Sequence, residues 1–154
     1  MRFLCDHMLG TLAKWLRFLG YDTLYPGPLD DGDLKELAAR EERVLLTRDK
    51  QLSGRVPGAL YVGSDDLDEQ FTQVIRAFRL TSESAMSRCS VCNELIEAVP
   101  KERARDRVPE GVFSRQGEFW WCPKCGRFYW QGSHFEHMWA KFREIDARAN
   151  ASST

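Results

Sequence analysis

Arg43-Val44-Leu45-Leu46-Thr47 runs directly into Arg48-Asp49, and this stretch decides the fold class. Its apolar residues follow one another without polar alternation. That is the pattern of a strand covered on both faces, as helices cover the strands of a parallel sheet. Upstream, Leu34, Leu37 and Ala38 mark a helix, with Asp30, Asp31 and Asp33 crowded at its start, where carboxylates suit the helix dipole. Thr23 to Tyr25 reads as a strand closed by Pro26-Gly27-Pro28. Before it, Leu9, Leu12, Ala13, Leu16 and Leu19 have the i, i+3, i+4, i+7 spacing of a helix with one buried stripe, and Gly20 supplies its stop. Arg2 to Asp6 is a short apolar run ending in a carboxylate. Downstream, Ala59 to Val62 is another strand, and Leu67, Phe71, Val74, Ile75 and Phe78 form another amphipathic helix. Strands alternating with helices predict an α/β domain over residues 1–80, with a mostly parallel sheet flanked by helices.

The composition then changes. Thr81 to Ser87 is short, polar and aperiodic, the mark of a linker. Residues 88–133 hold Cys89-Ser-Val-Cys92 and Cys122-Pro-Lys-Cys125, separated by 29 residues. Each pair can bring two thiolates to one ion from a tight turn, and two such turns complete a tetrahedron of sulfur. Soft ligands with no redox role favour Zn²⁺, so Cys89, Cys92, Cys122 and Cys125 are read as a structural zinc ribbon. A helix is expected over 134–148, packed on the rest through Phe135, Met138, Trp139, Phe142 and Ile145. The tail from Ala149 to Thr154 reads as frayed.

At 154 residues, with 43% hydrophobic and 29% charged side chains, the chain has the composition of a globular protein rather than a disordered one. The net charge of −1 gives bulk charge no role in recruiting nucleic acid or an acidic membrane. No segment has the roughly 18 consecutive apolar residues of a membrane span. Asp6 interrupts the amino-terminal apolar run where a signal peptide needs a long core, which makes a cytoplasmic location the expectation. Five cysteines are odd in number for a disulfide framework, and Cys5 is read as a small buried hydrophobe.

In an open parallel sheet, ligands meet the carboxyl ends of the strands. Asp6 ends the first strand, Asp49 stands two residues beyond Thr47, and Asp65 and Asp66 follow the strand at 59–62. Asp30 and Asp31 precede the second helix and fall on the same rim. Acids gathered on one rim repel each other unless a hard cation such as Mg²⁺ or Mn²⁺ neutralises them, and such a site suits phosphodiester hydrolysis. The plainer readings are that Asp65 or Asp66 caps a helix, Asp33 is a solvated first-turn acid, and Asp30 belongs to a turn.

Asp6-His-Met-Leu-Gly10, Lys14-Trp-Leu-Arg17, Leu19-Gly-Tyr-Asp22, Leu46-Thr-Arg-Asp49, Arg88-Cys-Ser-Val-Cys-Asn93 and Tyr129-Trp-Gln-Gly-Ser-His134 together resemble the Mut-seven C-terminal RNase domain family. The resemblance spans nearly the whole chain in order. It implies a small PIN-like nuclease domain joined to a zinc ribbon, and a metal-dependent ribonuclease. Its implied acids are Asp6, Asp49 and an Asp before the second helix, a place that Asp31 matches best by its distance from Leu37-Ala38. PIN domains usually add a Glu on an intervening helix. This chain has no clear counterpart, which leaves Asp65 or Asp66 as choices for a fourth acid and puts Asp66 among the catalytic candidates.

For substrate contact, Lys14, Arg17 and Arg48 are placed to orient a phosphate, and His7 to bind substrate or move a proton. In the ribbon, Trp120 offers a stacking surface for an unpaired base and Arg105 a contact for phosphate. The expected partner is RNA with unpaired segments. Two rivals stand beside the enzyme: an RNA-binding or tRNA/ribosome-associated adaptor with weak catalysis, and a protein-interaction module.

Overall fold

A computed structural model describes residues 1–152, with side chains described through Arg148. β1 (Arg2–Cys5) leads through one 3-10 turn at His7–Leu9 into α1 (Gly10–Phe18). β2 (Asp22–Leu24) is followed by α2 (Asp31–Arg40), and β3 (Val44–Thr47) by α3 (Lys50–Arg55). β4 (Leu60–Tyr61) is followed by α4 (Leu67–Phe78). The strands make one parallel sheet in the order β2-β1-β3-β4, with Leu4 opposite Leu45 and Cys5 opposite Leu46.

Strand alternation sends side chains to two cores. Phe3, Cys5 and Leu46 pack with Leu12, Leu16 and Phe71 from α1 and α4. Leu4 and Leu45 pack on the other side with Leu34, Ala38 and Leu52 from α2 and α3. Both faces of the sheet are therefore covered, which is why Val44 to Thr47 reads as an unbroken apolar run. α3 is the element the sequence pattern does not announce. Leu52 is its one buried residue, so no helical period exists to detect.

The second half is an antiparallel sheet of β5 (Glu97–Val99), β6 (Phe119–Trp121) and β7 (Phe128–Tyr129). Within the loop between β5 and β6 lies α5 (Glu110–Arg115). α6 (Ser133–Ser152) then returns to the first half. Its Phe135, Met138, Phe142 and Ile145 join the core of β1, α1 and α4, so this helix completes the parallel-sheet unit. It also runs further than expected, carrying Ala149 to Ser152 as helix, while Ser153 and Thr154 of the expected frayed tail lie outside the described residues. The stretch 81–87 is not a loose tether either. Met86 is buried and its N–H donates to the Phe18 carbonyl, and at Gly20 (φ +99°) any Cβ would overlap the Ser84 carbonyl oxygen. Among the described residues no helix is long and apolar enough to cross a membrane.

Candidate active site and cysteine centre

Because β1, β3 and β4 are parallel, the residues following them share one rim. Asp6 leaves β1 with only 5% of its surface exposed. Its Oδ1 accepts the Met8 N–H at 2.9 Å, and its Oδ2 accepts the Thr47 hydroxyl at 2.6 Å and the Arg48 N–H at 2.8 Å. Three donors therefore hold an acceptor-only carboxylate in one orientation. Thr47, fully buried at the end of β3, does more: its hydroxyl also accepts the Asp49 N–H at 3.0 Å. One buried hydroxyl thus ties Asp6 to Asp49. Sequence reasoning passed over Thr47 as part of an apolar strand, yet a hydroxyl inside such a run requires a partner, and that requirement was the available signal.

Asp49 is exposed and caps α3, its Oδ1 accepting the Leu52 N–H at 3.1 Å. Arg48 reaches back to the Gly63 carbonyl through Nη2 at 3.2 Å, leaving its Nε buried without a partner. Asp31, the first residue of α2, pairs with Arg55 from the end of α3 at 3.2 Å. The cap of α2 is Asp30, which accepts the Asp33 N–H. Asp66, one of the catalytic candidates, caps α4 by accepting the Glu69 N–H, so the plainer reading describes its contact. Lys14 and His7 are exposed, and the His7 carbonyl accepts the Tyr25 hydroxyl.

Carboxylates are the ligands a hard cation takes, and Mg²⁺ commonly uses one or two of them, keeping water or substrate phosphate in its other positions. Asp6 and Asp49 offer two such carboxylates on one rim, with Thr47 holding the Asp6 side chain and the Asp49 backbone. Among the described residues, the cysteines alone form a group of three or more His, Cys, Asp or Glu side chains close enough to share an ion.

Two expected substrate contacts need correction. Arg17 is buried, its Nε donating to the Thr23 carbonyl at 2.8 Å and its Nη1 to the Ser90 and Val91 carbonyls at 2.9 and 3.2 Å. It binds the ribbon to β2 rather than facing a phosphate. Arg17→Lys, which keeps the charge but loses the fork, is expected to cost about 2–4 kcal/mol of stability. Denaturant melts would measure this; a variant with native stability and impaired RNA turnover would restore the phosphate role. Trp120 packs against the main core together with Tyr129, so its ring faces inward. The opposite face of that sheet carries Trp121 and Phe128, beneath Arg103 at 4.7 Å and Arg107 at 5.9 Å from the ring centres. Arg105 is exposed and lies 4.9 Å over Phe113.

The sulfurs of Cys89, Cys92, Cys122 and Cys125 all lie within 4.8 Å of one another. Cys89–Cys125 and Cys92–Cys122 are 3.6 and 3.4 Å apart. A tetrahedral Zn²⁺ with bonds of ~2.3 Å places its sulfurs about 3.8 Å apart, so the cluster can hold a metal such as zinc. The two turns match. Asn93 (φ +72°) and Gly126 (φ +77°) take the left-handed conformation after each pair, and their N–H groups donate to the Cys89 and Cys122 carbonyls. Burial pushes the Cys89 thiol up, but hydrogen bonds from Tyr129 and from the backbone of Cys92 and Val91 outweigh it and hold it at about 7. Cys92 is pushed up to about 12, by burial first and then by the neighbouring cysteines. Asn93 has a second task that Gly126 lacks: its amide oxygen accepts the Thr23 N–H and its amide nitrogen donates to Asp22. The first turn is thereby docked on the edge strand β2. Cys5, as expected, is buried, and its thiol is pushed upward by burial and by Asp6.

With this architecture in place, a family model described as the Mut7-C RNAse domain matches residues 1–142. The chain belongs to the Mut7-C RNAse domain family. The match takes in the acidic rim, all four clustered cysteines and the first part of α6. No curated protein and no solved structure gives a significant match. Family membership points to a nuclease-like role, and the α/β sheet with a cysteine cluster consistent with a zinc ribbon agrees with it.

Proposed function

We propose that the chain is a ribonuclease that hydrolyses RNA phosphodiester bonds at the rim around Asp6 and Asp49, using Mg²⁺ or Mn²⁺. The observation that supports this most is the buried Thr47 hydroxyl, which donates to the Asp6 carboxylate and accepts the Asp49 backbone N–H at the carboxyl end of a parallel sheet, in a chain of an RNAse-domain family. Asp6 and Asp49 would hold the cation, which would supply charge neutralisation for the phosphate and activation of water. The Met8 and Arg48 N–H groups and Thr47 fix Asp6, so little reorganisation is needed when substrate arrives. Arg48, half-buried next to Asp49, orients the phosphate through its guanidinium charge, and exposed Lys14 and His7 stand ready for substrate and proton. Asp31 takes a supporting place, since Arg55 already neutralises it.

The adaptor reading draws on one observation: the acids form no three-ligand group among the described residues. Incubating the purified protein with a labelled single-stranded RNA separates the two. The enzyme cleaves with Mn²⁺ or Mg²⁺ and stops when these ions are left out. Binding without cleavage in either ion selects the adaptor.

A further inference from the structure

The ribbon meets the parallel-sheet unit along β7 and the start of α6, and there three cavities adjoin. One of 340 Å³ lies beside Arg107 and Arg127, one of 530 Å³ beside Arg115, and one of 470 Å³ beside Arg143. The first two share Phe128, Tyr129 and Trp130; the last two share Gln131, Phe135 and Glu136. Through these shared residues the three linings adjoin and outline a groove. Each arginine is exposed, and among the described residues none of the four is paired with a carboxylate. Glu136 is the one acid in the lining, whereas the whole chain has more acids than bases. The groove is therefore a local concentration of positive charge on a nearly neutral protein. Its walls include the half-buried faces of Phe128, Trp130 and Trp139, with Arg107 over Phe128 and Arg143 over Trp139 at 5.9 and 5.3 Å.

We infer that this groove is an exosite for an unpaired stretch of RNA, whose phosphates meet the four arginines and whose bases stack on the aromatic walls. Unpaired arginines supply phosphate contacts, and aromatic and guanidinium planes supply sequence-tolerant stacking. Cavities of 340 to 530 Å³ are of small-ligand size, room for a splayed base and not for a duplex. The inference rests on the ribonuclease reading only in naming RNA as the polymer. Its position sets a length requirement. Phe18, at the far end of α1 from the Asp6 rim, lines the central cavity. α1 has nine residues, so the separation is about 13 Å at ~1.5 Å rise per residue, on the order of four stacked nucleotides.

The test measures anisotropy of a fluorescein-labelled 12-nucleotide oligouridylate on the zinc-loaded protein, without added Mg²⁺ or Mn²⁺, across a salt series. Arg115→Glu with Arg143→Glu is expected to weaken binding about tenfold or more and to reduce the slope of log K against log salt by about two. The same charge change at Arg40 and Arg76, exposed on α2 and α4, is expected to leave the slope intact. Circular dichroism melts confirm that both pairs fold. Equal binding by wild type and the groove pair overturns the exosite, as does equal competition by a duplex or by polyglutamate. Cleavage supplies the separate readout. In the groove pair KM should rise for the 12-mer and stay unchanged for a trinucleotide, with kcat preserved. Tight, groove-dependent binding with no cleavage in any ion would sink the ribonuclease reading and leave the exosite standing.

Discussion

Asp49→Asn is expected to lower the rate of RNA cleavage by about 100-fold or more while leaving the melting temperature within about 2 °C of wild type. The separation of the two effects follows from what each oxygen of Asp49 does. Oδ1 caps α3, and an asparagine amide oxygen caps nearly as well as a carboxylate. The net negative charge is what the substitution removes, and only an anion-dependent task at the rim responds to that. Asp6→Asn should lose as much activity but also several degrees of stability. An asparagine there must turn its NH₂ toward either the Met8 N–H or the Thr47 and Arg48 donors, leaving a buried donor facing a donor. Such a mismatch costs about 1–3 kcal/mol. Initial rates in Mn²⁺, set beside thermal melts of both variants, check the pair. Wild-type rates from folded Asp49→Asn would remove the two-carboxylate site.

The parallel sheet was legible because two of its strands announce themselves by composition. Phe3 to Cys5 and Val44 to Leu46 pack toward both faces, and no polar residue breaks either run before Thr47 ends the second. The cysteine centre was legible for a similar reason, since ligand chemistry admits few residue types and the spacing leaves few geometries. What stayed hidden depends on contacts between distant segments. Arg17 occupies a position that reads as an exposed basic residue beside Leu16, and only the arrival of Ser90 and Val91 makes it interior. Trp120 and Trp121 are adjacent aromatics, and strand alternation sends them to opposite faces; which face is the inner one was decided by docking on α1 and α6. Thr47 shows the same limit at the rim, where its meaning depends on an aspartate 41 residues away.

Removing the metal from Cys89, Cys92, Cys122 and Cys125 is expected to lower the melting temperature of the whole chain by about 10 °C or more, and not merely to loosen the ribbon. Structural zinc contributes apparent binding free energies of ~10–16 kcal/mol in small domains, as large as the entire stability of a typical fold. The short β5-β6-β7 sheet has little else to hold its turns in place. The loss spreads because the first cysteine turn is stitched to β2. Without it, Arg17 loses its Ser90 and Val91 acceptors, Asp22 loses the Asn93 amide donor, and the Thr23 N–H loses its cap on the sheet edge. A buried guanidinium with one acceptor left out of three is a strongly unfavourable remnant. Metal analysis of the purified chain should find one zinc per molecule, and a chelator should release it in step with the fall in melting temperature. Arg17→Lys offers a second handle, because it weakens the same connection with the metal still bound. The two perturbations should then be less than additive, as expected for groups acting through one contact. Additive losses, or a melt indifferent to the chelator, would mean that the parallel-sheet unit stands without its ribbon.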